Sequence, residues 1–192
     1  MTAPLGRRER KKAQTRQALA DAAFEMFLAR GYDQVGVREI ADAADVSVTT
    51  LFNYFPSKEA LVFDLDEDVE AGLVAAVRDR APGTPLFDAL RAHLTERIRG
   101  AAASPTTSGF YRLIEQTPEL GDYARRMWLR HENALARAII AELGAPEDDA
   151  RCAAFARFAL ESVELAIRRP DPVRAIGEMF ALLEHGWSSE LS

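Results

Sequence analysis

An all-α fold, with a three-helix N-terminal module and a larger helical C-terminal domain, is predicted by three features of this 192-residue sequence. Apolar residues recur at intervals of three and four along most of the chain, the period of a helix with one buried face. No stretch shows the two-residue alternation of a half-buried strand. Breakers cut the pattern into helix-sized pieces at Pro82-Gly83, Ser104-Pro105, Thr117-Pro118, Gly144-Ala145-Pro146 and Arg169-Pro170. At 48% hydrophobic residues the chain can bury a substantial core.

The chain opens on a basic stretch. Arg7, Arg8, Arg10, Lys11, Lys12 and Arg16 are opposed there only by Glu9. This suits a flexible arm and helix start lying along phosphates, although a solvated tail has the same composition. Residues 17–30 follow as an amphipathic helix with Leu19, Ala22, Ala23, Met26 and Phe27 on one face, which is not the apolar core of a signal peptide.

Two short helices joined by a tight turn come next, with the motif over about residues 36–55. Val37, Ile40, Ala41 and Ala44 fall on one face of the first, with Gly36 as a tolerable N-cap. Ala44-Asp45-Val46-Ser47 interrupts the pattern: Asp can take left-handed backbone angles, and Ser47 can cap the next helix. In the second helix Leu51 and Phe55 face inward, which leaves Val48, Thr49, Thr50, Asn53 and Tyr54 near the outer face. Thr and Asn side chains presented in this way can bond base edges in a major groove, while Ser47, Tyr54 and Lys58 suit phosphates. An ordinary pair of core helices with polar outer residues has the same periodicity, and spacing alone does not choose between the two.

The stretch FEMFLARGYDQVGVREIADAADVSVTTLFNYFPSKEAL, residues 24–61, resembles the tetracycline-repressor-like (TetR) family of bacterial regulators. Phe27, Gly31-Tyr32, Val37, Ile40-Ala41, Ala44, Val46-Ser47, Leu51, Tyr54-Phe55 and Lys58-Glu59 are in register without a gap. The resemblance implies an N-terminal helix-turn-helix domain over residues 1–58 and a helical effector-binding and dimerisation domain over residues 59–192. It implies DNA contacts from Gly36, Val37, Arg38, Ser47, Val48, Thr49, Thr50, Phe52, Asn53, Tyr54 and Lys58, joined by Arg7, Arg8, Arg10, Lys11 and Lys12. Three positions depart from the family pattern. Val35 and Gly36 replace a usual threonine pair, Asp45 stands where glycine is frequent, and Phe52 replaces a tyrosine.

Charge distribution agrees with that division. The net charge is −6, but residues 1–58 carry nine Lys/Arg against seven Asp/Glu, and the remainder fifteen against twenty-three. The single cysteine, Cys152, excludes an intramolecular disulfide and reads as a small buried side chain. No apolar run of about 18 residues is present for a membrane span, so a cytoplasmic protein is expected.

Beyond Lys58, helices are expected near 58–80, 84–102, 108–116, 119–143, 147–168 and 171–187, nine in all with the N-terminal three. The helix from Lys58 is expected to join the two domains without a flexible linker. In the last two helices Phe155, Ala159, Val163, Val173, Ile176, Phe180, Leu183 and Trp187 are candidates for a homodimer interface, with burial inside one monomer as the competing reading. Phe110, Arg112, Leu113, Met127, Trp128, His131 and Phe158 are candidates for contact with a small-molecule effector, with simple core as the alternative for the apolar ones. The phrase SVTTLFNYFPSKEAL also resembles regulators with an acyl-CoA-like ligand.

No enzyme signature competes. His93, His131 and His185 are far apart in sequence, and no nucleophile motif or Gly-rich phosphate loop is present. Asp64, Asp66, Asp68 and Glu70 imitate the start of a calcium loop, but Val69 stands at the required glycine and Ala75 at the bidentate glutamate. An exposed acidic helix face is the expectation there, and no metal or cofactor is expected. The reading is a one-component repressor that binds a palindromic operator as a dimer and is released by an effector. The alternative is a helical interaction or ligand-binding module without specific DNA binding.

Overall fold

The computed structural model describes residues 6–186, and within them the chain forms nine α-helices, one 3-10 turn and no strand. The helices are α1 (Arg7–Arg30), α2 (Val37–Ala43), α3 (Val48–Tyr54), α4 (Asp66–Arg78), α5 (Leu86–Ala103), α6 (Thr107–Gln116), α7 (Pro118–Leu143), α8 (Ala150–Ile167) and α9 (Pro172–His185). Trp187 lies outside the described residues.

The basic stretch is helical rather than a flexible arm. The helix α1 starts at Arg7, where the Glu9 carboxylate accepts from the N–H of Gly6 at 3.0 Å. Its Arg, Lys, Ala and Gln residues are good helix formers, so the turn continues without a break into the amphipathic part. It ends at Gly31, whose φ of +85° is open to glycine at little cost and whose N–H returns to the Phe27 carbonyl.

The helix expected over 58–80 is two pieces. A 3-10 turn spans Glu59–Leu61, turns follow, and α4 begins only at Asp66. Leu61, Val62 and Phe63 are all buried, which a continuous helix with one apolar stripe would not allow. The later helices agree with expectation to within about three residues. The late start of α8 follows from Asp149, whose carboxylate accepts from the Arg151 N–H and caps it.

The chain divides into two compact units, residues 1–65 with 108–123 and residues 66–107 with 124–192. Compactness therefore divides it differently from a cut after Lys58, because the 3-10 turn, most of α6 and the first turns of α7 join the N-terminal unit. The first unit is held by Leu19, Ala23 and Phe27 of α1, Ile40 and Ala41 of α2, and Leu51 and Phe55 beside them, all buried. Phe63 stacks on Tyr123 at 5.1 Å and meets Phe110 edge-on at 5.8 Å. In the second unit α5 packs on α4, α8 and α9 around Leu73, Leu90, Leu94, Ile98, Leu135, Leu160, Ile176 and Phe180. Cys152 is buried in that core.

Candidate nucleic-acid interface

The α2-turn-α3 segment is fixed at every joint. At its start the N-cap is Gly36, which has no side chain to offer; instead the Glu39 carboxylate accepts from the Gly36 N–H at 2.9 Å while bonding Arg30 at 2.8 Å. These hydrogen bonds, the Arg30 contact first, hold the Glu39 carboxyl below its ordinary range. The turn reverses at Asp45, whose φ is +53°, the left-handed conformation that an Asp tolerates. Val46 then donates to the Ala41 carbonyl at 2.9 Å.

Ser47 starts α3. Its Oγ accepts from the Thr50 N–H at 3.0 Å and pairs with the Thr50 hydroxyl at 2.8 Å. The hydroxyl pair uses one of its two protons, which leaves the other O–H able to donate. Leu51 and Phe55 are buried, whereas Thr49, Phe52 and Asn53 are exposed and Val48 and Tyr54 half-buried. The outward face is therefore a hydroxyl, an aromatic ring and a carboxamide, a set that can read base edges and a thymine methyl. Arg7, Arg8, Arg10, Lys11 and Lys12 are exposed on the first turns of α1, and Arg38 is exposed on α2, while Val37 is half-buried there.

Lys58 is placed differently from a phosphate ligand. Its ammonium donates to the Tyr32 carbonyl at 2.6 Å and lies 3.9 Å from the centre of the Tyr32 ring and 5.5 Å from that of Phe27. Burial lowers its pKa, opposed by the charges of Asp33, Glu59 and Glu119. The Tyr32 phenol beside it is pushed well up, chiefly by burial and then by Glu59.

The effector candidates fall in both compact units. Phe110 belongs to the aromatic packing of the first unit, where Leu113 is buried and Arg112 exposed. Met127, Trp128 and His131 lie on α7 in the second unit, and Phe158 is 54% exposed on α8. His131 is fully buried. Its Nε2 lies 2.6 Å from Asp66 Oδ1, Arg130 bonds the other carboxylate oxygen, and the Trp128 ring meets the imidazole edge-on at 5.2 Å. His131 Nδ1 has no hydrogen-bond partner. In the neutral ring with Nε2–H donating to Asp66, Nδ1 would be an acceptor.

Asp66 was not legible as a partner. The acidic run is not an exposed helix face, because the side chains of Asp64 and Asp66 are 15% and 16% exposed and both carry ion pairs. Spacing holds the missed signal: residues two apart on a helix point about 200° apart, so such a run cannot share one face.

Most of the expected dimer residues are core of their own monomer. Ala159, Val163, Ile176 and Phe180 are buried, and Phe155 stacks on Phe87 at 5.5 Å. Val173 and Leu183 are half-buried. The large apolar side chains that α8 leaves outside are Phe158 and Leu165, seven residues apart and so on one face. Nearby on α9, Ala175, Met179 and Leu182 line an open groove of about 500 Å³ with Arg169, Arg174 and Glu178.

Comparison with known proteins agrees with this geometry. Residues 19–65 match the profile of the bacterial regulatory proteins of the tetR family. The HTH-type transcriptional regulator TcmR of Streptomyces glaucescens is 33% identical over 186 residues, covering 92% of this chain and 81% of that protein. The putative mycofactocin biosynthesis transcriptional regulator MftR of Mycobacterium tuberculosis is 30% identical over 148 residues, covering 73% and 71%. Among solved structures, Thermus thermophilus FadR, a transcriptional repressor in complex with lauroyl-CoA, superposes with a TM-score of 0.60 at 28% identity, covering 89% of this chain and 94% of that one.

Proposed function

Because this chain belongs to the TetR family of transcriptional regulators, whose members bind DNA operators and ligands as dimers and are not enzymes, we propose that it is an effector-released repressor of a palindromic operator. The observation that carries this reading is the outward face of α3. Thr49, Phe52 and Asn53 stand exposed on a helix whose start is capped by Ser47 and whose other face is anchored by Leu51 and Phe55. Reading belongs to residues 1–58 and effector binding with self-association to residues 59–192. Phosphates are met by the exposed cations of α1 and by Arg38.

Two copies associate through α8 and α9, using Phe158 and Leu165 rather than the residues buried within each monomer. The effector is an acyl-CoA-like molecule, supported by the likeness to FadR, and His131 Nδ1 is the acceptor that would take a hydrogen bond from it. Effector binding favours a dimer whose two heads no longer match the half-sites, and a coupling of about 1–3 kcal/mol would weaken operator binding roughly 5–150-fold. Among the described residues no helix is long and apolar enough to cross a membrane, in keeping with action in the cytoplasm.

Fluorescence anisotropy of the duplex upstream of the protein's own gene, at two salt concentrations with unrelated competitor, tests the reading. Saturable binding that survives competitor and falls on adding lauroyl-CoA is expected. Asn53→Ala should cost about 1–3 kcal/mol of discrimination at one base pair of the half-site. If neither this duplex nor any selected from a random pool outcompetes unrelated DNA, the proposal fails.

A further inference from the structure

Arg16 departs from its basic neighbours on α1. Its half-buried guanidinium joins three segments that are distant in sequence. Nη1 donates to the Tyr54 carbonyl at 3.1 Å, Nη2 donates to the Asp64 carbonyl at 2.8 Å, and Nε lies 2.9 Å from Asp64 Oδ1. The cation also sits 4.6 Å from the centre of the Phe55 ring. Each of the three guanidinium nitrogens thus makes a contact within the protein, which commits the planar fork to joining these segments. Tyr54 is the last residue of α3, so its carbonyl is one of those a helix end leaves without an intrahelical partner.

From this geometry we infer that Arg16 and Asp64 are a positioning pair for operator reading, which fix the pitch of α3 by holding its C-terminal carbonyl. The inference rests on the operator-reading function proposed above. With seven residues, α3 makes only two turns. Ser47 holds its start, Leu51 and Phe55 hold one face, and Arg16 holds its end. The useful range of a hydrogen bond to a base edge is a few tenths of an ångström, so a small tilt of α3 takes Thr49 and Asn53 out of reach. Lysine cannot replace Arg16, because one ammonium does not reproduce a fork that spans two carbonyls and a carboxylate.

Two roles for Arg16 predict opposite signs at Asp64. Removing an anionic charge from a DNA-binding module strengthens binding on electrostatic grounds alone. Breaking a positioning pair weakens specific binding. The test uses the full chain, a duplex selected by the wild-type protein from a random pool, and an unrelated duplex of equal length. Arg16→Lys and Asp64→Asn are each expected to weaken the selected duplex about tenfold, the first through the lost carbonyl contacts and the second through the lost ion pair. The unrelated duplex should bind within about twofold of wild type, and Arg16→Gln should leave the salt slope unchanged, since no phosphate contact is lost. The double variant should be no weaker than either single one, because both changes break one device.

A slope that falls by about one unit in Arg16→Gln, with Asp64→Asn binding as tightly as wild type or tighter, would overturn the inference and make Arg16 a phosphate ligand. Lowered melting temperatures with an intact ratio of selected to unrelated affinity would overturn it too, leaving the pair merely structural. A wild-type protein that enriches no duplex would remove the operator reading and this inference with it.

Discussion

Asp64 and Asp66 stand two residues apart, yet they serve different compact units by different chemistry. Asp64 meets the guanidinium of Arg16 in the first unit, and Asp66 meets His131 and Arg130 of α7 in the second. The contrast holds for the units as wholes. In the first, buried side chains and inward-turned cations make a frame, and the groups proposed above to read DNA stand out from it. In the second, long helices pack around an apolar core, and the groups proposed above to bind and associate are the few departures from it: a buried imidazole whose Nδ1 has no hydrogen-bond partner, and apolar side chains left outside on α8.

The largest effect that would break this contrast concerns α8. Changing Phe158 and Leu165 together to Asp should convert the protein from a dimer to a particle of the 21.2 kDa chain mass by light scattering, with helicity retained. A dimer that survives would move the association surface elsewhere and leave the exposed pair without a role.

A smaller effect sharpens the frame side. Lys58→Met should cost about 1–2 kcal/mol of stability in thermal unfolding, from one carbonyl hydrogen bond and a cation–ring contact. The salt slope of duplex binding should not move, because Lys58 faces the Tyr32 carbonyl. A slope reduced by about one unit would return Lys58 to the phosphate contacts its sequence position suggests.

The smallest effect is at Asp45. Asp45→Gly should gain up to about 1 kcal/mol, because glycine takes a positive φ without cost, and Asp45→Val should lose at least as much. Unequal melting shifts in that order check it; a stabilising valine would deny that backbone conformation is what selects the residue.

The reading head was legible because its short elements need particular residues: a left-handed turn at Asp45, a hydroxyl at Ser47, and inward residues four apart at Leu51 and Phe55. The break before α4 was not. Residues 58–65 contain no proline or glycine, and the chain is turned there by buried Phe63 and by Arg16 taking the Asp64 carbonyl, both tertiary effects. Which face of α8 is left outside was illegible for a related reason. Along α8, Ala159, Val163 and Ala166 make one apolar stripe and Phe158 and Leu165 another, and periodicity does not say which stripe the monomer keeps for itself. The pair formed by Asp66 and His131 joins residues 65 positions apart, beyond the reach of any local pattern.

The unbroken length of α1 has a mechanical consequence. Its basic first turns and its buried Phe27 belong to one rod, about 30 Å apart at a helical rise of 1.5 Å per residue. A rotation of about 10° about the Phe27 end carries Arg7 through roughly 5 Å at that radius. Because Arg16, Leu19, Ala23 and Phe27 tie the rod to the module along its inner half, the helix moves with the module as one body, and a small tilt of that body becomes at the charged tip a stroke on the scale of the spacing between neighbouring phosphates.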